Sequence, residues 1–146
     1  EALTYPGAPF ARAGQKALTD LFKEACGAHG ADVIYDPVGG DYAEAALRSI
    51  AWEGRFLVVG FPAGIPKLPL NLALLKGCDV LGVFWGDFVR RSPQHHQQNL
   101  KEMMELYAHG KIRPYVSESF PLDKGRDAID WLSERKAMGK VVVTMG

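Results

Sequence analysis

The chain has 146 residues, 47% hydrophobic and 23% charged, the balance of an ordinary globular protein of one domain's length that buries about two-thirds of its unfolded surface. Its 17 basic and 17 acidic residues cancel, which gives no support for a nucleic-acid or anionic-membrane surface. No apolar stretch approaches the ~20 residues that span a bilayer, and no signal-peptide pattern opens the chain.

In chain order, Ala2–Tyr5 reads as a short, weak strand and PGAP (6–9) as loop. A helix is expected from about Gly14 to Ala28, with Leu18, Leu21, Phe22 and Ala25 as its buried stripe and Gly27 and Gly30 marking its end. Val33-Ile34-Tyr35 is an apolar strand that stops at Asp36-Pro37, since proline cannot donate to a sheet ladder, and Gly39-Gly40 permit a turn. From Asp41 the period changes to that of a helix, with Tyr42, Ala45, Ala46 and Ser49 at i, i+3, i+4 and i+7. Asp41 is the expected N-cap and Gly54 the expected stop. Phe56–Val59 is a second strand ending in Gly60. Neither strand alternates, as expected when helices cover both faces of a parallel sheet. The three form a βαβ unit, whose functional loops belong at the carboxyl ends of its strands.

FPAGIPKLPLN (61–71) carries three prolines without a helical period, so it is expected to be a loop crossing the end of the sheet. Asn71 is expected to cap a short turn through Leu72–Leu75. Asp79–Trp85 reads as a third strand, with Gly82 allowing close approach of something packed over it. Ser92-Pro93 opens a helix with Leu100, Met103, Met104 and Tyr107 as a core stripe. A strand at Tyr115–Phe120, a helix at about Asp123–Lys136 with Ala128, Ile129 and Leu132 inward, and a strand at Lys140–Met145 complete the chain. The fold class is α/β. Cys26 and Cys78 belong to no CxxC or Cys/His cluster, so they are expected to be reduced structural cysteines in a cytoplasmic protein. The first residue is Glu1 rather than Met, as in a processed chain or a fragment.

The combination of DPVGG, GRFLVVGF, PLNLALLKGCDVLGVFWG and the closing GKVVVTMG resembles the medium-chain dehydrogenase/reductase superfamily. The likeness is strongest to its zinc-independent quinone oxidoreductases, which transfer hydride from NADPH to quinones and related enones. It runs along essentially the whole chain. It implies a partial Rossmann-like fold, doubly wound with a mostly parallel sheet. Residues 1–114 would form the second half of the dinucleotide-binding domain, and 115–146 a C-terminal segment returning to the catalytic, substrate-binding domain. The family's Gly-rich phosphate loop and the residue that selects NADP or NAD would lie upstream, and no GxGxxG occurs here. NADPH is the expected cofactor, NADH remains open, and no metal is expected.

The resemblance also places a cofactor site. Val38 and Gly39 would line its adenosine side and Gly60 and Phe61 its nicotinamide side, where a Cβ at Gly60 would intrude. Backbone groups at Phe84 and Trp85 would hold the carboxamide, and Lys140 would reach a phosphate or ribose. Each has a plainer alternative: a glycine that turns the chain, aromatics packed in an interface, a solvated lysine. Asp36 sits in a strand-terminating turn, a poor place for a general base. His95-His96 are adjacent on a polar helix, and consecutive helix positions diverge by about 100°, too far for shared metal ligation. No catalytic side chain is expected here, because hydride transfer uses the cofactor's own reactivity. Leu81–Trp85 is expected to be an apolar edge strand that pairs with its copy in a homodimer, with the leucines of 70–75 covering the seam. Two readings compete: a doubly wound methyltransferase-like domain, and a non-catalytic dimerisation module.

Overall fold

The computed structural model describes residues 2–5, 7–8 and 10–146. Pro6 and Pro9 of the expected PGAP loop lie outside the described residues, as does Glu1. The chain forms two compact units, Glu1–Asp87 and Phe88–Gly146.

The first unit opens with α1 (Arg12–Cys26), which ends at Gly27 with φ 68°. Strand β1 (Ala31–Asp36), helix α2 (Tyr42–Arg48) and strand β2 (Ile50–Val58) follow, then α3 (Leu70–Lys76) and β3 (Asp79–Gly82). The strands lie in the order β1-β2-β3, and both pairings are parallel. A parallel sheet whose strands succeed one another in one direction is half of a doubly wound α/β domain. Phe56 in the central strand is fully buried. Around it pack Ala43 and Leu47 from α2, Ile50 from β2 and Leu72 from α3, with Ile34 and Val58 at the margin.

Several boundaries and contacts differ from expectation, each for a local reason. Ala2–Tyr5 is not a strand. In α1 Leu18 is buried, Leu21 and Phe22 are half-buried, and Ala25 is exposed. Helix α2 stops at Arg48, not at Gly54, because Ser49 closes it: its amide and hydroxyl both donate to the Ala46 carbonyl. Strand β2 therefore begins at Ile50. Its register slips between Ala31↔Ile50 and Val33↔Arg55, with Glu53 at φ 58°, and Gly54 lies inside this irregular stretch. Asp41 stands at the N-cap position without capping α2; its Oδ2 accepts from the Phe10 amide at 3.3 Å instead. Pro69, not Asn71, precedes α3.

Among the described residues of the first unit, helices do not cover both faces of the sheet. Residues in register share a face. On one face Phe56 is buried, Ile34 half-buried and Val80, at the edge, 40% exposed; on the opposite face Val33 and Tyr35 are 56% and 64% exposed and Leu81 42%. Strand β3 is an edge, but it ends at Gly82, and Trp85 begins helix α4 (Trp85–Arg91). The expected edge strand Leu81–Trp85 is thus two residues of strand followed by a turn into helix. Nothing lies within 4 Å of a Cβ built on Gly82, so no close packing explains that glycine.

The second unit contains α5 (Pro93–Ala108), opened by Pro93 after Ser92, then β4 (Val116–Pro121), a 3₁₀ turn (Leu122–Lys124), α6 (Gly125–Ser133) and β5 (Lys140–Thr144). Strands β4 and β5 pair in parallel around the α6 crossover. Ala128 is its buried residue, and Trp131 packs near Phe120 with ring centroids 6.2 Å apart. Of the expected core stripe of α5, Leu100 is half-buried, whereas Met103, Met104 and Tyr107 are exposed. Ile129 and Leu132 of α6 are exposed as well. An amphipathic pattern encodes an apolar face without encoding what covers it. Cys26 and Cys78 are free thiols. Among the described residues no helix is long and apolar enough to cross a membrane.

Candidate functional site

The carboxyl ends of β1 and β2 bear two loops, 37–40 and 59–64, built almost entirely by backbone. Asp36, 8% exposed, anchors the first. Its Oδ1 accepts from the amides of Val38 at 3.0 Å and Gly39 at 2.9 Å, an Asx-type turn that follows directly from Asp-Pro at a strand end. Two backbone N–H groups thus occupy this oxygen, which accounts for the carboxylate as a structural anchor and not as a base.

The second loop is bound to the first. The Asp36 carbonyl accepts from Val59 at 3.0 Å and Gly60 at 3.4 Å, and the Val38 carbonyl from Ala63 at 3.0 Å. The amide of Gly40 donates to the Gly64 carbonyl at 2.7 Å. This close approach requires glycine. Gly39 has φ 71°, and a Cβ there would stand 2.7 Å from the Gly64 carbonyl oxygen and 3.1 Å from the Phe61 ring. At Gly60 the geometry differs from the expected one: an added Cβ would face the Pro37 carbonyl oxygen at 3.3 Å, so the tight neighbour is the other loop. Val38, Gly39, Gly60 and Phe61 therefore come together as one wall.

Beside it, the Val83 amide donates to the Val58 carbonyl at 2.8 Å, carrying the β2–β3 pairing one step past Gly82. Phe84 and Trp85 follow, 78% and 64% exposed. Lys140 belongs to the second unit, where it opens β5; its amide donates to the Tyr115 carbonyl at 2.7 Å and its side chain is exposed. A Cβ on the preceding Gly139 would fall on that same carbonyl oxygen, so Gly139 is set by strand packing.

A family model described as zinc-binding dehydrogenase matches residues 10–143. The chain belongs to the medium-chain dehydrogenase/reductase superfamily. It is 40% identical over 128 residues to a quinone oxidoreductase-like protein 2 homolog of Nematostella vectensis, covering 86% of this chain and 35% of that protein. A probable oxidoreductase from Mycobacterium abscessus is 30% identical with a TM-score of 0.70, over 94% of this chain and 39% of that one. A mycobacterial protein solved with NADPH matches at a TM-score of 0.77 and 22% identity, over 98% of this chain and 43% of that one, a likeness of fold alone. The chain thus spans little more than a third of the length of its quinone oxidoreductase-like relatives, and what it matches is the C-terminal region of this superfamily.

Membership in the dehydrogenase/reductase superfamily leaves the methyltransferase reading without support. Phe61, Phe84 and Trp85 are exposed near the carboxyl ends of the parallel strands, where such folds bind nucleotides. Among the described residues no three His, Cys, Asp or Glu side chains gather in a metal-holding group. His95 is exposed and His96 half-buried.

A cavity elsewhere in the first unit has a different origin. It opens at the amino ends of the strands and is lined by Lys23, Arg48 and Lys76. These are the cations in the last turns of α1, α2 and α3, where the helix dipole favours positive charge. Lys76 also donates to the Ile50 carbonyl at 3.1 Å. Sequence reasoning missed Gly40, Ala63 and Gly64 as parts of the wall. The available signal was Pro62-Ala63-Gly64, a turn sequence lying a full helix and strand beyond Gly39-Gly40.

Proposed function

We propose that this chain is the C-terminal part of a zinc-independent oxidoreductase that transfers hydride from NADPH, or NADH, to a quinone or a related enone. The observation that carries the reading is the wall formed by the two glycine-bearing loops at the carboxyl ends of β1 and β2. Support also comes from the names of the quinone oxidoreductase-like relatives and from the NADPH-bound protein of like fold.

In this reading Val38 and Gly39 face the adenosine half of the cofactor and Gly60 and Phe61 its nicotinamide half. Backbone groups at Phe84 and Trp85 orient the carboxamide. The bound dihydronicotinamide supplies the hydride. This chain's residues fix the ring's position and keep water from one side of it, and oriented backbone groups favour oxygen charge as it develops. Residues 1–114 complete the dinucleotide-binding domain and 115–146 return to the catalytic domain. The phosphate loop is upstream, so these 146 residues alone are inactive. The protein is cytoplasmic and a homodimer, joined along β3 with the exposed Leu70, Leu74 and Leu75 of α3 at the seam. The acceptor is a small molecule; no nucleic acid or membrane takes part.

The test is oxidation of NADPH and of NADH by the full-length enzyme with a panel of quinones and enones. Turnover with at least one acceptor is expected, and none across the panel overturns the reading. The exposed leucines favour one rival, a non-catalytic dimerisation module. Heat unfolding of the full-length protein separates the two: saturating cofactor at 100 times Kd adds about 2.7 kcal/mol of stability to an enzyme and nothing to a module.

A further inference from the structure

The loops 37–40 and 59–64 are joined by more bonds than a shared sheet edge requires. Beyond the last β1–β2 rung, the Ala63 amide meets the Val38 carbonyl at 3.0 Å, and the Gly40 amide meets the Gly64 carbonyl at 2.7 Å. A Cβ on Gly40 would fall on the carbonyl oxygen of Ala63, and the next nearest atoms, Ala63 C and Cβ, are both at 3.0 Å. The 61–64 turn is closed by the Gly64 amide donating to the Phe61 carbonyl at 2.9 Å. Gly64 itself has φ 103° and nothing within 4 Å of an added Cβ, so backbone conformation and not space restricts that position.

Building on the cofactor reading above, we propose that the two loops form a clasp assembled before the cofactor arrives, with Gly40, Ala63 and Gly64 as positioning residues that fix the separation of the adenosine and nicotinamide subsites. A dinucleotide touches both loops at once. If the loops moved independently, binding would have to order one against the other; tied together, they present a single span. None of the three residues needs to touch the ligand. They act through Val38, Gly39 and Phe61, which the clasp holds.

The separation makes a distinctive prediction. A ligand reaching both loops depends on the clasp, and one confined to the adenosine side does not. Gly64→Ala is the diagnostic variant, because open space around the position spares the fold while the positive φ disfavours the native turn. Gly125→Ala is the control, since that glycine is helical, with open space around it, in the other unit.

Two measurements decide the proposal. In the free chain, amide hydrogen exchange at Gly40 and Ala63 is expected to be slowed at least about a hundredfold relative to an open loop. Exchange at open-loop rates overturns the clasp. In the full-length enzyme, Gly64→Ala is expected to weaken NADPH binding about fivefold or more while binding adenosine 2′,5′-bisphosphate, which has no nicotinamide-side ribose, within about twofold of wild type; Gly125→Ala is expected to bind both like wild type. NADPH affinity that stays unchanged, or falls in step with the half-ligand, overturns the positioning role. A wild-type enzyme that binds neither NADPH nor NADH overturns the cofactor reading and the role with it; slow exchange in the free chain would then mark the clasp as structural only, so the two failures are distinguishable.

Discussion

Asp36 Oδ1 stands 2.9 Å from the amide nitrogen of Gly39, so the last side chain of β1 determines how the next three residues leave the sheet. Removing that buried acceptor leaves two amides without a partner. Asp36→Ala is expected to destabilise the chain by about 2 kcal/mol, whereas Asp36→Asn, which keeps an oxygen in place, should cost less than half as much. Urea unfolding of the two variants checks the order. Equal losses would mean that Oδ1 is not what anchors the turn.

Phe56 and Met103 make a sharper pair than their similar hydrophobicity suggests. Phe56 is fully buried at the centre of the first unit, and Met103 is 46% exposed on α5. Phe56→Ala is expected to cost about 3–5 kcal/mol, and Met103→Ala to stay within about 0.5 kcal/mol. Chemical denaturation of both variants measures the contrast; a large loss at Met103 would show α5 to be packed in solution.

Gly30 has φ 86°, and a Cβ there would stand 2.8 Å from both the Ala51 nitrogen and the Ser49 carbonyl oxygen. Gly30→Ala is therefore expected to lose more than about 2 kcal/mol, through strain and forced separation of β1 from the start of β2. Gly82→Ala has open space and should be near neutral. Thermal melts of the pair test whether steric crowding, and not glycine content alone, sets the response.

The proposed dimer gives a prediction in mass units. Leu74 is 81% exposed on α3. Light scattering at micromolar concentration should report a dimer for the native chain and a monomer for Leu74→Asp, with unchanged unfolding of the monomer. A native monomer would overturn the proposal.

The β1–α2–β2 unit was legible because its signals are local. Val33-Ile34-Tyr35 is β-forming, Asp-Pro stops it, and Tyr42, Ala45 and Ala46 announce a helix. The start of β2 was not legible. Its first residues pass through an irregular register with the exposed Glu53 at positive φ, a conformation that no propensity signals. The reach of β3 was overstated for a related reason: Val83, Phe84 and Trp85 have strand-forming side chains, yet the chain turns into α4. Exposure was the least legible quantity. Met103, Met104 and Tyr107 follow a helical stripe, but nothing in that stripe says whether a neighbour is present. The family resemblance pointed to Val38, Gly39, Gly60 and Phe61 as candidates, yet it did not show how they are held. Backbone-to-backbone bonds carry no side-chain signature beyond the glycines that tolerate them.

The bonds from Gly40 to Gly64 and from Ala63 to Val38 also bear on folding order. Their partners are brought together only by a completed parallel crossover, a pairing of distant segments that forms slowly in any chain. Neither loop can adopt its final form while β1 and β2 remain unpaired. A half-folded chain therefore has no finished clasp, and in the proposed reading the cofactor surface exists only once β1 and β2 have paired.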